Sequence, residues 1–176
     1  MPRHPQRFDE VAALVRAAGF SLARRSDWAE MPSAEACEAD VWLGDSMGEM
    51  ALYYATARVA LLGGSFAPLG GQNLIEAAAC GCPIVMGPHT YNFAQAAELA
   101  LAAGAALRAE DTASGVTLAL GLLRGPEQAR MSSAGLAFAA RHRGAASRMA
   151  AHIVALLEAD GAGDTEASLD SAGSSG

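Results

Sequence analysis

Three short stretches concentrate the residue types that hold anions and nucleotides: Pro2-Arg3-His4-Pro5, Gly44-Asp45-Ser46-Met47-Gly48-Glu49, and Gly63-Gly64-Ser65 followed by Gly70-Gly71-Gln72-Asn73-Leu74-Ile75-Glu76. Glycines let a phosphate approach the backbone, and the unpaired N–H groups of a helix start favour negative charge. The junction from Gly70-Gly71 to Asn73 offers both. Arg3 adds a guanidinium able to make a charge-assisted bond of about 1.5–3 kcal/mol to the same phosphate. Glu76 would repel a phosphate, so any ligand contact it makes is with neutral donors such as sugar hydroxyls, which suggests a nucleotide ribose. A second reading stands beside this one: Ser46-x-x-Glu49 and Asn73-x-x-Glu76 both fit capping boxes that stabilise helix starts and bind nothing. His4 either touches a phosphate or base or fixes its loop through its ring nitrogens. His89 precedes Asn92-Phe93-Ala94-Gln95, which fits another cap, so Gly87-Pro88-His89-Thr90-Tyr91-Asn92 reads as a structural turn.

Other chemistries drop out. Lys and Arg together number 12, all of them Arg, which removes the Walker-A phosphate loop, Schiff-base chemistry and the kinase lysine. Neither glycine loop reads Gly-x-Gly-x-x-Gly, so a dinucleotide site is not indicated. Ser65 lacks the His and acid of a nucleophile elbow. Cys80-Gly81-Cys82 has the wrong spacing for a zinc knuckle, and with Cys37 makes an odd total of 3, which fits buried packing in a reducing compartment. A net charge of −7 argues against nucleic acid as a partner, because such proteins need a basic face. The start of the chain shows no apolar leader and no stretch has enough large apolar residues to span a bilayer, so the chain reads as cytoplasmic and soluble. No cofactor or metal is expected. Arg130, Arg141 and Arg148 fall within about 20° of one another on a helix and read as a solvated face rather than as a membrane or partner contact.

The elements that must position these residues follow from periodicity. A chain of 176 residues, 52% hydrophobic and 18% charged, fits one compact domain with a full core. Phe8, Val11, Leu14 and Val15 sit at helical spacing within Gln6–Gly19, and Phe20–Ala23 follows as a short strand. Arg24 to Asp40 reads as loop, Val41–Leu43 as a strand, and the Ser46 box opens a helix to about Ala57. The segment Val59–Leu62 is a strand, Asn73–Cys80 a helix stopped by Gly81, and Pro83–Met86 a strand. Asn92–Ala103 is a helix stopped by Gly104, Ala105–Arg108 a last strand, and Thr112–Leu123 and Pro126–Asp160 are helical with a kink near Gly144. Alternating short strands and helices predict an α/β fold with a doubly wound parallel sheet, whose ligands bind beyond the carboxyl ends of the strands. Residues 161–176 are small, polar and acidic, a disordered tail after a domain over 1–160.

The same stretches, taken in order with Pro2-Arg3-His4-Pro5-Gln6-Arg7-Phe8 and Gly87-Pro88-His89-Thr90-Tyr91-Asn92-Phe93, closely resemble the C-terminal lobe of 3-deoxy-D-manno-octulosonic acid (Kdo) transferases over roughly residues 2 to 157. The resemblance implies a Rossmann-like lobe of a GT-B glycosyltransferase. It implies transfer of Kdo from CMP-Kdo to a lipid A precursor, in lipopolysaccharide biosynthesis at the cytoplasmic face of the bacterial inner membrane. By that resemblance Pro2 and Arg3 line the CMP site, Met47, Gly48 and Glu49 form its second wall, and Asn73, Leu74, Ile75 and Glu76 its third. His4, Gly64 and Ser65 are further candidates for donor contacts. Gln72 stands where many members have His, and Leu74 and Ala77 where many have Pro, which leaves Asn73 and Glu76 in place.

Family members carry a further lobe before this point, with a membrane anchor, the acceptor site and the catalytic carboxylate base. Their first C-lobe strand also runs directly into the Pro-Arg-His-Pro motif. The expectation is therefore a donor-binding half that lacks a central strand, exposes neighbouring strand edges, is marginally stable and does not turn over alone. Two alternatives stay open: another two-lobe glycosyltransferase or epimerase using a UDP-sugar, and a catalytically silent nucleotide-binding module.

Overall fold

The computed structural model describes residues 1–2, 4–28 and 30–142. A 3-10 turn, Pro5–Arg7, leads into α1 (Phe8–Ala17), followed by β1 (Leu22–Arg24), a second 3-10 turn, α2 (Ala34–Cys37) and β2 (Val41–Leu43). Then come α3 (Met50–Thr56), β3 (Ala60–Leu62), α4 (Leu74–Ala79), β4 (Ile84–Met86), α5 (Ala94–Ala102), β5 (Ala106–Arg108), α6 (Thr112–Arg124) and α7 (Glu127–His142). Every strand pair is parallel, as the strand–helix alternation predicts. The strands form two sheets, β1-β2 and β3-β4-β5, rather than one continuous sheet.

Residues 84–86, Ile-Val-Met, are fully buried on both faces, the mark of a central parallel strand. On one face Ile84 and Met86 join Leu62, Leu74, Ala77, Ala78, Ala97 and Phe138; on the other Val85 meets Ala119, Leu122 and Met131. Much of this core is alanine, so helices must approach closely to close it. At Gly135 in α7 an added Cβ would lie 3.4 Å from the Ala78 carbonyl oxygen of α4, tight van der Waals contact between two helix backbones. Cys82 is buried and its thiol is pushed up to about 11 by burial and by Cys80, which keeps it an apolar packing group.

Several expectations change. Leu14, placed by spacing on the core face of α1, is 59% exposed, and only Phe8 and Ala12 of that helix are buried. The segment read as loop from Arg24 contains the end of β1 and one helical turn, α2, whose Ser33 hydroxyl caps the Ala36 N–H at 3.1 Å. One turn is too short to leave a periodic signal. The Ser46 box does not form: Gly48 has φ +82°, which no helix tolerates, so α3 starts at Met50 and the Ser46 hydroxyl bonds the Glu49 carboxylate instead. Asn92 is not a cap either, since its amide donates to the Leu69 carbonyl at 3.3 Å, and α5 begins at Ala94 without a side-chain cap. The kink near Gly144, Arg148 and the acidic tail lie outside the described residues.

Phe138 is 1% exposed at the centre of the larger cluster. Phe138→Ala is expected to lower the unfolding free energy by about 3–5 kcal/mol, read from urea denaturation.

Candidate functional site

A cavity of about 790 Å³ opens between the two sheets, within the size range of small-molecule sites. Its walls come from the chain start (Pro2, His4), the carboxyl end of β2 (Gly44), helix α3 (Met50, Tyr53, Tyr54), the length and carboxyl end of β3 (Ala60 to Gly64), and the loop before α4 (Gly71, Gln72). The side of β3 not paired with β4 borders it, as does Trp42 of β2. The three stretches picked out from sequence therefore meet, because parallel strands deliver their following loops to one edge.

Individual residues divide. Pro2, His4 and Gly64 line the cavity itself. Met47, Gly48 and Glu49 stand just before its α3 wall and Asn73 to Glu76 just after its Gln72 wall, without lining it. Arg3 lies outside the described residues. Leu74 is 1% exposed and its side chain belongs to the core. Ile75 packs partly against the same core. Ser65 is fully buried: its hydroxyl donates to the Leu62 carbonyl at 2.5 Å and accepts the Gly87 N–H at 2.7 Å. Both of its roles are spent tying the end of β3 to the end of β4, so it serves the fold and offers nothing to a ligand.

Asn73 does cap α4, its Oδ1 accepting the Ile75 N–H at 3.1 Å. The box is only half made, because Glu76 takes a hydrogen bond from the Asn73 side-chain amide at 2.9 Å rather than from the backbone. Glu76 is exposed, and its second oxygen, Oε2, has acceptor capacity left. Glu49 is more constrained: Arg25 contacts it at 2.8 Å, the Ser46 hydroxyl donates to it, and the Tyr53 hydroxyl stands 3.5 Å away. These contacts, the Ser46 bond above all, hold its carboxyl below the usual range despite partial burial.

Beneath this lies Asp45, whose side chain is 1% exposed. Burial works to raise its pKa, but the Ser26 hydroxyl at 2.7 Å, the Arg24 guanidinium at 2.6 Å and the Ser26 N–H at 2.8 Å outweigh it and hold the carboxyl low. Arg24 also reaches Asp9 of α1 at 2.7 Å, so one buried carboxylate ties the ends of β1 and β2 to α1.

Tyr53, Tyr54, Met50 and Trp42 were not singled out from sequence, yet they form the aromatic side of the cavity. The signal was present for Tyr53, which falls one helical turn after Glu49 and so on the same face. Among the described residues no group of three His, Cys, Asp or Glu gathers to hold a metal ion, and no helix is long and apolar enough to cross a membrane.

Known proteins share this architecture. The crystal structure of the C-terminal CMP-Kdo binding domain of WaaA from Acinetobacter baumannii matches it with a TM-score of 0.71 at 34% identity, covering 78% of this chain and 70% of that one. Two parallel sheets flanking a cavity, with the loops after β2 and β3 converging on it, thus define the C-terminal half of a GT-B glycosyltransferase. The 3-deoxy-D-manno-octulosonic acid transferase of Bordetella pertussis is 55% identical over 149 residues, 84% of this chain and 34% of that protein. The Haemophilus influenzae enzyme of the same name is 34% identical over 151 residues, 85% of this chain and 34% of that protein. The chain belongs to the Kdo transferase family, and it spans about a third of the length of these curated relatives. No protein-family model matches it.

Asp45 also sets an acid limit. Its folded pKa is depressed, so the stability it supplies is complete above about pH 4, its unfolded value, and is lost as the pH falls through the lower folded value. Asp45→Asn, which leaves Arg24 paired with Asp9 alone and weakens the bonds from Ser26, is expected to lower the unfolding free energy at pH 7 by about 1–3 kcal/mol. It should also flatten the decline below about pH 4, read from urea curves between about pH 5 and pH 2.

Proposed function

We propose that this chain is the donor-binding half of a Kdo transferase and holds CMP-Kdo in the cavity between its two sheets, where the loops after β2 and β3 open into it. The observation that carries the reading is the likeness, at 34% identity over 78% of the chain, to a structure whose described ligand is CMP-Kdo. The convergence of Pro2, His4, Gly63, Gly64, Gly71 and Gln72 on one cavity supports it. Arg3, Met47, Gly48, Glu49 and the segment Asn73–Glu76 complete the donor site in this reading, Leu74 through its backbone and Glu76 through its second carboxylate oxygen to the ribose hydroxyls.

In the reaction an acceptor hydroxyl of a lipid A precursor attacks the anomeric carbon of Kdo. The new C–O bond forms as the bond to the CMP phosphate oxygen breaks, CMP keeps the electron pair, and a carboxylate base takes the hydroxyl proton. The share of this lobe is to orient the donor and to stabilise the charge that develops on the leaving phosphate. The base and the acceptor site belong to the other lobe of the family enzyme, which acts at the cytoplasmic face of the inner membrane.

Calorimetric titration tests the reading. CMP is expected to bind with Kd between about 10 μM and 1 mM, UMP more weakly, and Glu76→Ala to weaken CMP about tenfold while leaving the ligand-free melt within about 2 °C. Equal binding of CMP and UMP, or none of either, would contradict it.

A further inference from the structure

The cavity wall made by Ala67, Leu69, Gly71 and Gln72 is a loop between β3 and α4. At its turn Gly70 and Gly71 have φ +86° and +85°, a pair of left-handed residues that only glycine adopts without strain. Within itself the loop holds its first half, where the Phe66 N–H donates to the Gly63 carbonyl at 3.1 Å and the Leu69 N–H to the Ala67 carbonyl at 2.6 Å, more closely than its glycine turn. The Gly71 N–H donates to the Gly64 carbonyl at 3.2 Å, and the Gly64 N–H reaches Gln72 Oε1 at a long 3.4 Å.

What fixes it comes from behind, from the turn ahead of α5. The His89 N–H donates to the Ser65 carbonyl at 2.9 Å and the Tyr91 hydroxyl to the Pro68 carbonyl at 2.8 Å. Asn92 then donates twice to successive residues, its side-chain amide to the Leu69 carbonyl at 3.3 Å and its N–H to the Gly70 carbonyl at 3.1 Å. Its amide lies so close over Gly70 that a Cβ there would stand 2.1 Å from Nδ2. Tyr91 and Asn92 are exposed and neither lines the cavity.

We propose that the Asn92 side chain is a positioning group for the donor site: by holding the Leu69 carbonyl from the outer side, next to the bond its backbone N–H makes to Gly70, it keeps Gly71 and Gln72 in the conformation that receives the ligand. The proposal rests on the donor-site reading above. An exposed side chain outside both core clusters adds little to folding stability, so its bonds to a cavity loop act on the loop. Tyr91 shares the task through the Pro68 carbonyl, each of the two side chains giving the loop one bond.

The test uses the 176-residue chain, CMP as ligand, and two readouts: affinity by calorimetry, and amide hydrogen exchange at Gly71 and Gln72. Asn92→Ala is expected to weaken CMP binding about tenfold and Tyr91→Phe about threefold, with faster exchange at Gly71 and unchanged protection in Ile84–Met86. Asn92→Asp keeps the shape but offers the Leu69 carbonyl only acceptors, so it should bind CMP no better than Asn92→Ala. Failure of the unsubstituted chain to bind CMP overturns the donor-site reading and this proposal together. CMP binding that Asn92→Ala leaves unchanged, or that Asn92→Asp restores, overturns this proposal alone. Loss of the cooperative melt in Asn92→Ala also overturns it, because the role would then be structural.

Discussion

Within each sheet of the described residues the strands pair in parallel, and that constraint brings the loops that follow neighbouring strands to the same edge of their sheet. Gly44, Gly63 and Gly64 reach the cavity because each follows a strand, and Gly71 and Gln72 because they lead into the next helix. No strand pairing joins β1-β2 to β3-β4-β5 among the described residues. Their alignment therefore falls to helix packing, α3 against α4 above all.

Two buried polar groups keep the edge in register. Asp45 joins the ends of β1 and β2 and, through Arg24, α1; Ser65 joins the ends of β3 and β4. Each is fully bonded, and among the described residues no buried side-chain polar atom lacks a partner. A satisfied polar group inside a small core specifies one arrangement of the elements around it, because any shift leaves it unpaired at a cost of about 1–3 kcal/mol. The site is thus assembled from loops but referenced to strands, which is how a mobile type of segment acquires a defined geometry.

Much of this was legible in the sequence. Strand positions at Val41–Leu43 and around Leu62 and Met86 follow from short apolar runs between Gly and Pro, and the stops at Gly19, Gly81 and Gly104 from glycines that do take left-handed φ. The convergence of the two glycine-bearing stretches follows from strand–helix alternation alone. What spacing could not distinguish was the partner of each polar side chain. Ser46, Asn73 and Asn92 all fit the same capping pattern, yet only Asn73 caps a helix, because Gly48 bars a helical start after Ser46 and Leu69 captures the amide of Asn92. Likewise Ser65 in Gly-Gly-Ser is indistinguishable from a ligand contact until Gly87, 22 residues on, takes its hydroxyl.

NMR chemical-shift mapping of the labelled chain with CMP tests the location of the donor site most directly. If CMP occupies the cavity beyond the strand ends, the perturbed amides are those of His4, Gly63, Gly64, Gly71, Gln72 and Asn73 to Glu76, with much smaller changes under UMP. Perturbations gathered instead around Trp28, Met31 and Ala36, which line a separate cavity of about 460 Å³ beside β1, or an unperturbed spectrum at millimolar CMP, would contradict it.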